Sequence, residues 1–290
     1  MSETEHEISS QPACWSRAIE LADAAGLPVP GERVVAAGCG TSLFMSQAYA
    51  ALREARGLGE TDAVAASEFP SGRAYDRAVL LSRSGTTTEV ARLAHELHGH
   101  TPTVAISAVP ATPVPDASDE RLFLDFADER SVVQTRFATT ALALLRAHLG
   151  EDLADAIADG ERAVAEPLPI DVARFDHFVF LGHGWTNGLA SEAALKLREA
   201  AQAHTESHPA MEYRHGPISL AGPASLVWIL GTPDAAVADD VRATGATVRE
   251  AELDPMAELI LIQRAAVALA AARGLDPDHP RNLTRSVVLS

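Results

Sequence analysis

Residues 77–98 read RAVLLSRSGTTTEVARLAHELH, and this stretch decides the fold class. Its first part, Arg77-Ala-Val-Leu-Leu81, is a short apolar run of the kind that forms a buried strand. A hydroxyl-rich turn follows, and the spacing of apolar residues then predicts a helix from about Thr88 to His98. Strand, polar turn and helix in this order are typical of an α/β protein.

The same succession recurs along the whole sequence. Further strands are predicted at 33–38, 101–107, 121–125, 175–181, 225–230 and 247–253. Further helices are predicted at 11–26, 41–56, 135–149, 152–166, 186–203, 235–244 and 257–273. Short apolar strands that alternate with helices of this length predict parallel sheets with helices on both faces.

Two short motifs repeat at a single offset. Gly40 of a Gly-Cys-Gly-Thr turn matches Gly184 of Gly-His-Gly-Trp, and Glu68 of Ala-Ser-Glu-Phe matches Glu212 of Ala-Met-Glu-Tyr. Both separations are 144 residues (184 − 40 and 212 − 68). The alternative is that any α/β protein has glycine after its strands, but the pair of glutamate and aromatic residue is not a general turn signal, so we favour a duplicated domain. We therefore predict a helical arm at 1–30, a first α/β domain at 31–160, and a second with a C-terminal tail at 161–290.

Composition argues against several classes of function, although it leaves room for a local basic patch. The 290 residues carry 23 basic and 40 acidic side chains, a formal charge of −17, which argues against nucleic acid or an acidic membrane as partner. Two cysteines give no disulfide framework. We find no apolar run that approaches the roughly 20 residues that span a bilayer, and the acidic N-terminus lacks a signal pattern. We expect a cytoplasmic protein.

The turn after Leu81 is the strongest candidate for a binding site. Five of the seven residues 82–88 carry hydroxyls, and such groups at a helix N-terminus, with its backbone N–H groups, bind anions. Helix capping alone is the structural alternative, but it needs only one or two hydroxyls. Because the nucleotide P-loop pattern with its lysine is absent, the expected ligand is a small phosphorylated molecule.

A second glycine-rich turn, Gly38-Cys-Gly-Thr-Ser42, opens the preceding predicted helix. It lacks the third glycine of a dinucleotide fingerprint, so its hydroxyls are candidates for the same phosphate. Cys39 is expected to be a packed residue, since no basic partner adjoins it in the sequence.

Glu192, Lys196 and Glu199 share one helical stripe, because they stand at positions i, i+4 and i+7. A salt-bridged solvent face is the structural alternative. The helix follows directly on the Gly182 turn, and open α/β sheets bind ligands at the carboxyl ends of their strands. A carboxylate there is suited to move a proton between adjacent carbons in aldose–ketose isomerisation.

Histidines concentrate between 183 and 215. His204 and His208 have the i, i+4 spacing of helical metal ligands, but no third ligand is identifiable. His215 precedes Gly216 and Pro217, and an imidazole held on such a turn is suited to proton transfer near neutral pH. A purely structural histidine in a turn is the alternative.

Together these motifs resemble the sugar isomerase (SIS) domain family in its tandem form, which includes the isomerase half of glucosamine-6-phosphate synthase and stand-alone phosphosugar isomerases, deaminases and deglycases. The segments that carry the resemblance are 7–12, 38–42, 67–69, 81–85, 129–136, 192–199, 212–217 and 280–283. The resemblance implies two tandem SIS domains, a phosphate site in the first one, and neither cofactor nor metal.

The resemblance also implies roles for individual residues. It assigns the phosphate or the sugar to Ser42, Ser82, Arg83, Ser84, Thr87, Val132 and Arg285. It makes Glu199 the carboxylate that moves the proton between C1 and C2, with Glu192 as a supporting carboxylate. His215 assists ring opening and comes from a neighbouring subunit, which implies a homodimer with shared sites.

Two departures narrow the expected reaction. Arg285 stands where the synthase has a lysine that forms a Schiff base, and arginine stays protonated and forms no such imine under ordinary conditions. The glutaminase domain is also missing, so we do not expect a glutamine-dependent amidotransferase. The prediction is a phosphosugar isomerase or amino-sugar-phosphate deaminase, possible deglycation included, and the alternative is a non-catalytic sugar-phosphate sensor.

Overall fold

The computed structural model describes residues 2–232 and 234–289, and it divides into two compact units. The amino-terminal unit comprises Ala13–Leu153 and Thr284–Ser290, and the carboxy-terminal unit comprises Met1–Pro12 and Ala154–Leu283. These units differ from the predicted ranges at the chain ends. The predicted arm is shared between them, and the end of the tail groups with the amino-terminal unit.

Helices and strands alternate through both units. The helices are α1 (Glu3–Ser9), α2 (Gln11–Ala18), α3 (Thr41–Ala55), α4 (Thr88–Leu97), α5 (Pro113–Ala117), α6 (Arg136–His148), α7 (Ala154–Ala165), α8 (Thr186–Ala201), α9 (Ala235–Ala243) and α10 (Pro255–Ala272). The strands are β1 (Val34–Gly38), β2 (Thr61–Ala65), β3 (Arg77–Leu81), β4 (Thr103–Ser107), β5 (Glu120–Phe123), β6 (His177–Gly182), β7 (His204–Pro209), β8 (Ser225–Ile229) and β9 (Thr247–Glu250).

The amino-terminal unit contains a parallel sheet in the order β2-β1-β3-β4-β5. Every residue of β1 and β4 is buried, because helices cover both faces of the sheet. On one face, α4 and α5 pack against alternate strand residues such as Val35 and Leu80. The helix α3 packs against β1, β2 and α6. The predicted α/β class with parallel strands is confirmed.

The carboxy-terminal unit contains a second parallel sheet in the order β7-β6-β8-β9. The first strand of each predicted repeat, β1 or β6, is central and is followed directly by a glycine-rich turn. A Cβ added at Gly38 would lie 2.6 Å from the Cβ of Ser42, and one added at Gly182 would lie 2.5 Å from the carbonyl oxygen of Thr186. Both glycines therefore admit the first turn of the following helix.

The helix α10 corrects one expectation from the sequence. It has 18 residues and is apolar enough, by length and composition alone, to cross a membrane. Two thirds of this window (67%) is buried, and the helix packs against α7 and α8 within its own unit. Pro255 starts it and the Asp254 carboxylate accepts a hydrogen bond from Met256 N, so it has the ends of an ordinary core helix.

Candidate active site

The hydroxyl-rich turn, residues 82–87, lies between β3 and the start of α4. Ser82, Arg83 and Ser84 are buried, at 3%, 5% and 6% exposure. The turn follows β3, and the glycine-rich turn of Ser42 follows its neighbour β1. From β1 the chain continues to β2 on one side, and from β3 it continues to β4 on the other side. Open parallel sheets form a ligand crevice at the carboxyl ends of two such neighbouring strands.

The hydroxyls of this turn do more than cap the helix. Ser82 Oγ accepts a hydrogen bond from Gly85 N at 3.2 Å, and Ser84 Oγ accepts one from Thr86 N at 3.1 Å. Thr87 is the N-cap residue of α4, yet its side chain makes no capping hydrogen bond. Capping therefore does not account for the set, and the Thr87 hydroxyl is left for another partner.

Gly85 is required by the shape of the turn. Its φ is +65°, and a Cβ there would lie 1.9 Å from Thr112 Oγ1 and 3.1 Å from Ser107 Oγ. The backbone of this residue is also fixed, because Val114 N donates to the Gly85 carbonyl at 2.9 Å. Only glycine combines this backbone conformation with this close approach.

The second turn presents Ser42 in the first turn of α3, where it is 6% exposed. The N-cap of α3 is Gly40, which has a φ of +54° and offers no side-chain cap. Burial raises the pKa of the neighbouring Cys39 thiol, and the Glu89 charge raises it further. That pKa is the opposite of what a nucleophilic thiolate needs.

The side chain of Arg83 is held by other protein groups. Its Nη1 lies 3.5 Å from Glu129 Oε2 and donates to the Ser131 carbonyl at 3.1 Å, and Nη2 donates to the Arg285 carbonyl. Val132 follows Ser131 and is half-buried in the same segment. Sequence reasoning gave Glu129 no role of its own.

Arg285 lies in the amino-terminal unit and is exposed. Its Nε donates to the Glu129 carbonyl at 3.0 Å, and its Nη2 forms an ion pair with the Asp128 carboxylate. Next to it, Ser286 Oγ lies 3.0 Å from Thr86 Oγ1, which is 3.0 Å from Ser84 Oγ. Sequence reasoning missed Ser286, since nothing in the sequence links it to residue 86.

The carboxylate stripe lies on α8 in the carboxy-terminal unit. Lys196 Nζ is 2.6 Å from Glu199 Oε2 and 3.3 Å from Glu192 Oε1. The side chains of Glu192 and Lys196 are almost fully buried, at 0% and 1% exposure, while that of Glu199 is 19% exposed. The stripe is therefore not a solvated face, and Glu199 is its accessible member.

The position of Glu199 along α8 differs from the expectation. Glu199 stands thirteen positions after the helix start at Thr186, which corresponds to about 20 Å of helix. Because α8 begins at the carboxyl ends of its strands, the accessible carboxylate lies toward their amino ends. The strand-end rule therefore does not account for Glu199.

The histidines are spread over different elements. His204 and His208 lie on the strand β7. A spacing of four positions along a strand corresponds to about 13 Å, whereas on a helix it would bring the two side chains onto one face. The i, i+4 metal interpretation was wrong for that reason, and His208 Nε2 is 3.0 Å from Glu206 Oε2 instead. His215 ends a short 3-10 turn and is exposed, next to Gly216 with φ +143°.

Within residues 2–232 and 234–289, no group of three or more His, Cys, Asp or Glu side chains is arranged to hold a metal ion. The polar groups of the amino-terminal unit suit an oxyanion ligand. Those of the carboxy-terminal unit suit proton transfer, with one accessible carboxylate beside an ammonium group.

Comparisons with known proteins agree with this chemistry. No model of a protein family matches the sequence. The glutamine–fructose-6-phosphate aminotransferase of Acidithiobacillus ferridurans is 33% identical over 73% of this chain and 43% of its own length. That of Xanthomonas campestris is 30% identical over 98% of this chain and 58% of its own length. The chain thus spans about half the length of these curated relatives.

Solved structures match over nearly the whole chain. Glucosamine-6-phosphate deaminase from Thermotoga maritima is 25% identical, with a TM-score of 0.83, and the match covers 99% of this chain and 100% of that one. Tagatose-6-phosphate ketose/aldose isomerase from Escherichia coli has a TM-score of 0.81 over 97% of each chain, and at 20% identity it shows the shared fold alone. The chain belongs to the sugar isomerase (SIS) domain family.

Proposed function

We propose that this protein is a phosphosugar isomerase that interconverts an aldose and a ketose phosphate or acts on an amino-sugar phosphate. The observation that carries the proposal is the buried turn of residues 82–87, which has more hydroxyls than helix capping uses. Its family relatives include a glucosamine-6-phosphate deaminase, which supports this class of substrate.

The phosphate is bound by uncharged donors in this proposal. A phosphate dianion accepts hydrogen bonds from the hydroxyls of Ser42, Ser82, Ser84 and Thr87 and from backbone N–H groups at the starts of α3 and α4. Partial positive charge at both helix N-termini adds to this binding. At Gly40 nothing lies within 4 Å of the place where a Cβ would stand, which lets ligand oxygens approach the backbone closely there.

Glu199 carries the proton in the proposed reaction. With the sugar in its open form, the carboxylate removes the proton from C2 of the aldose, and an enediolate forms with its charge on O1. A proton then moves from O2 to O1, and the proton held by Glu199 returns to C1, which leaves the ketose and the free carboxylate. The Lys196 ammonium, 2.6 Å away, compensates the carboxylate charge, and the buried Glu192 fixes Lys196 from its other side. Glu199 thus acts as general base and then as general acid.

His215 assists ring opening in this proposal and is supplied by a second copy of the chain. Its exposure on the 3-10 turn is compatible with contact to another molecule. A homodimer and a cytoplasmic location belong to the same proposal. An active species that stays strictly monomeric in analytical ultracentrifugation would contradict the shared site.

Two tandem SIS domains remain our interpretation of the repeat. Both sheets have a central first strand with a following glycine-rich turn, which supports it. The hydroxyl of Thr186, the counterpart of Ser42, accepts a hydrogen bond from His183 N at 2.8 Å and donates one to the Leu230 carbonyl at 2.8 Å, which supports a phosphate site that is not duplicated. We therefore assign the phosphate to the first domain alone.

A coupled assay on fructose 6-phosphate, glucosamine 6-phosphate and fructosamine 6-phosphates tests the function. We expect turnover of at least one of them, and a loss of about 10²-fold or more in kcat for Glu199→Gln. Glu161→Gln is the matched control, because it makes the same change at an exposed site of α7. Wild type as inert as Glu199→Gln on the whole panel would contradict an enzyme.

Calorimetry on the same panel separates the enzyme from a sensor. The observation that favours a sensor is the ion pair of Arg285 with Asp128. Arg285 stands at the position of the Schiff-base lysine, and its guanidinium forms no imine. Tight phosphosugar binding without turnover would favour the sensor.

A further inference from the structure

Two arginines that the sequence assigns to the substrate are both held by the dipeptide Asp128-Glu129. Arg83 forms a buried ion pair with Glu129, whose side chain is 0% exposed, and Arg285 forms an exposed pair with Asp128. A guanidinium that is already paired with a carboxylate brings little net positive charge to a phosphate. Each arginine is therefore better placed to hold protein segments than to neutralise a ligand.

Glu129 connects Arg83 to a helix. While Oε2 faces Arg83, Oε1 accepts hydrogen bonds from the backbone N–H groups of Thr135 and Arg136, where α6 begins. Charge-assisted bonds of this kind fix a carboxylate firmly. The position of Arg83 is consequently set by the start of α6, and not by the hydroxyl-rich turn alone.

Residues 285–289 lie along the start of α4. Thr88 N donates to the Val287 carbonyl at 3.2 Å, and Leu289 N donates to Thr88 Oγ1 at 2.8 Å. Thr88 N is a first-turn amide that has no acceptor inside its own helix. Together with the bond from Arg83 to the Arg285 carbonyl, these contacts bring residues 285–289 against the turn of Ser84.

We propose that Arg83, Asp128, Glu129 and Arg285 form one clamp that positions the tail, residues 285–289, over the hydroxyl-rich turn. Arg83 is then a positioning residue and not a phosphate ligand, and Arg285 is an anchor. The clamp itself stands on the contacts above. Only its consequence for substrate binding rests on the proposed function.

Hydrogen exchange of single amides tests the clamp in the free protein. In Arg83→Gln, we expect the amides of Thr88 and Leu289 to exchange about tenfold faster or more, because the tail loses a charge-assisted bond. The amide of Ser82, which donates to the Ile106 carbonyl within the sheet, serves as the internal reference. Arg121→Gln, which removes an exposed ion pair with Asp116, is the control variant.

Unchanged exchange at Thr88 and Leu289 would overturn the clamp. If Arg83→Gln also accelerates Ser82, the buried substitution has loosened the sheet, and Arg285→Ala decides. Arg285 is exposed, so its removal does not open the core, and the proposal requires faster exchange at Thr88 and Leu289 there too. Arg285→Ala without that change contradicts the proposal.

Binding measurements separate a clamp from a phosphate ligand. If Arg83 only positions the tail, Arg83→Gln and Glu129→Gln change the affinity for fructose 6-phosphate in the same direction. The double variant then binds fructose 6-phosphate no more weakly than the single variant of lower affinity. If Arg83 binds the phosphate, Glu129→Gln frees its charge and tightens binding while Arg83→Gln weakens it, which overturns the assignment. Should no phosphosugar bind at all, the proposed function fails while the exchange test still decides on the clamp.

Discussion

Replacement of Gly85 by alanine tests the geometry of the hydroxyl-rich turn. The new Cβ would lie 1.9 Å from Thr112 Oγ1 and 3.0 Å from Thr112 Cβ, in a residue with φ +65°. Gly57 provides a matched control, because its φ is +67° and nothing lies within 4 Å of a Cβ there. Gly72→Ala, with neither positive φ nor a close neighbour, is the second control.

The expected magnitudes follow from these contacts. A left-handed backbone costs alanine about 1–2 kcal/mol, and that is the whole effect expected of Gly57→Ala. Gly85→Ala adds the overlap with Thr112, for which overpacking of cores suggests about 1–3 kcal/mol more. Gly72→Ala is expected to stay within about 0.5 kcal/mol of the wild type. The difference between the first two variants therefore isolates the overlap.

Urea denaturation of the three variants measures these free energies of unfolding. The double variant Gly85→Ala with Thr112→Ala removes the oxygen at 1.9 Å, so it should be more stable than the sum of the two single changes predicts. Gly85→Ala should also raise the KM for the phosphosugar, because the turn must shift. Equal stability of Gly85→Ala and Gly57→Ala, or no recovery in the double variant, would refute the close approach.

Three further predictions concern pH and charge. Burial by itself raises the pKa of Glu151, but hydrogen bonds and charges of Arg146 and Arg56 outweigh it and hold that pKa below its ordinary value. The pair therefore stabilises the fold above the unfolded pKa, and its contribution disappears as pH falls through the folded one. The stability difference between wild type and Glu151→Gln in urea titrations should shrink below about pH 4.5, and a constant difference would contradict the pairing. Burial, and next the charge of Glu206, raise the pKa of Tyr213 to about 12, so stability is lost as pH rises from 10 toward 12. In thermal scans, Tyr213→Phe should remove this loss of stability at high pH. At pH 7 the same substitution should lower the stability little, because the buried hydroxyl has no hydrogen-bond partner among the described residues. A large loss of stability at pH 7 would contradict this account. Lys196→Met should lower turnover and destabilise the fold, since it removes the ammonium group that pairs with the buried carboxylate of Glu192, and an unaltered unfolding midpoint would contradict that role.

The central strands and long helices could be predicted from the sequence because their burial is visible in it. The strands β1, β3 and β4 are short apolar runs, and they lie in the middle of their sheet. The edge strands β2 and β7 escaped prediction. HTESHP is polar and TDAVA is a mixture of polar and small apolar residues, and most residues of both strands are only partly buried or exposed. Pairing with a neighbouring strand, rather than a local pattern, therefore makes them strands.

The candidate site was only partly accessible to sequence reasoning. A local turn such as 82–87 is contiguous, so its hydroxyls and its glycine were apparent. The partners of Arg83 were not, because Glu129 is 46 residues away and Arg285 is 202 residues away in the sequence. The spacing of Glu192, Lys196 and Glu199 predicted that they share one face of α8. Only the structure shows that Glu192 and Lys196 are buried.

The most direct test of the central claim is a crystal structure of the protein with fructose 6-phosphate. We expect phosphate oxygens within about 3.2 Å of the hydroxyls of Ser82, Ser84 and Thr87. If the ligand is fully occupied and its phosphate group lies elsewhere on the protein, that result would contradict the assignment of this turn and, with it, the proposed phosphosugar chemistry.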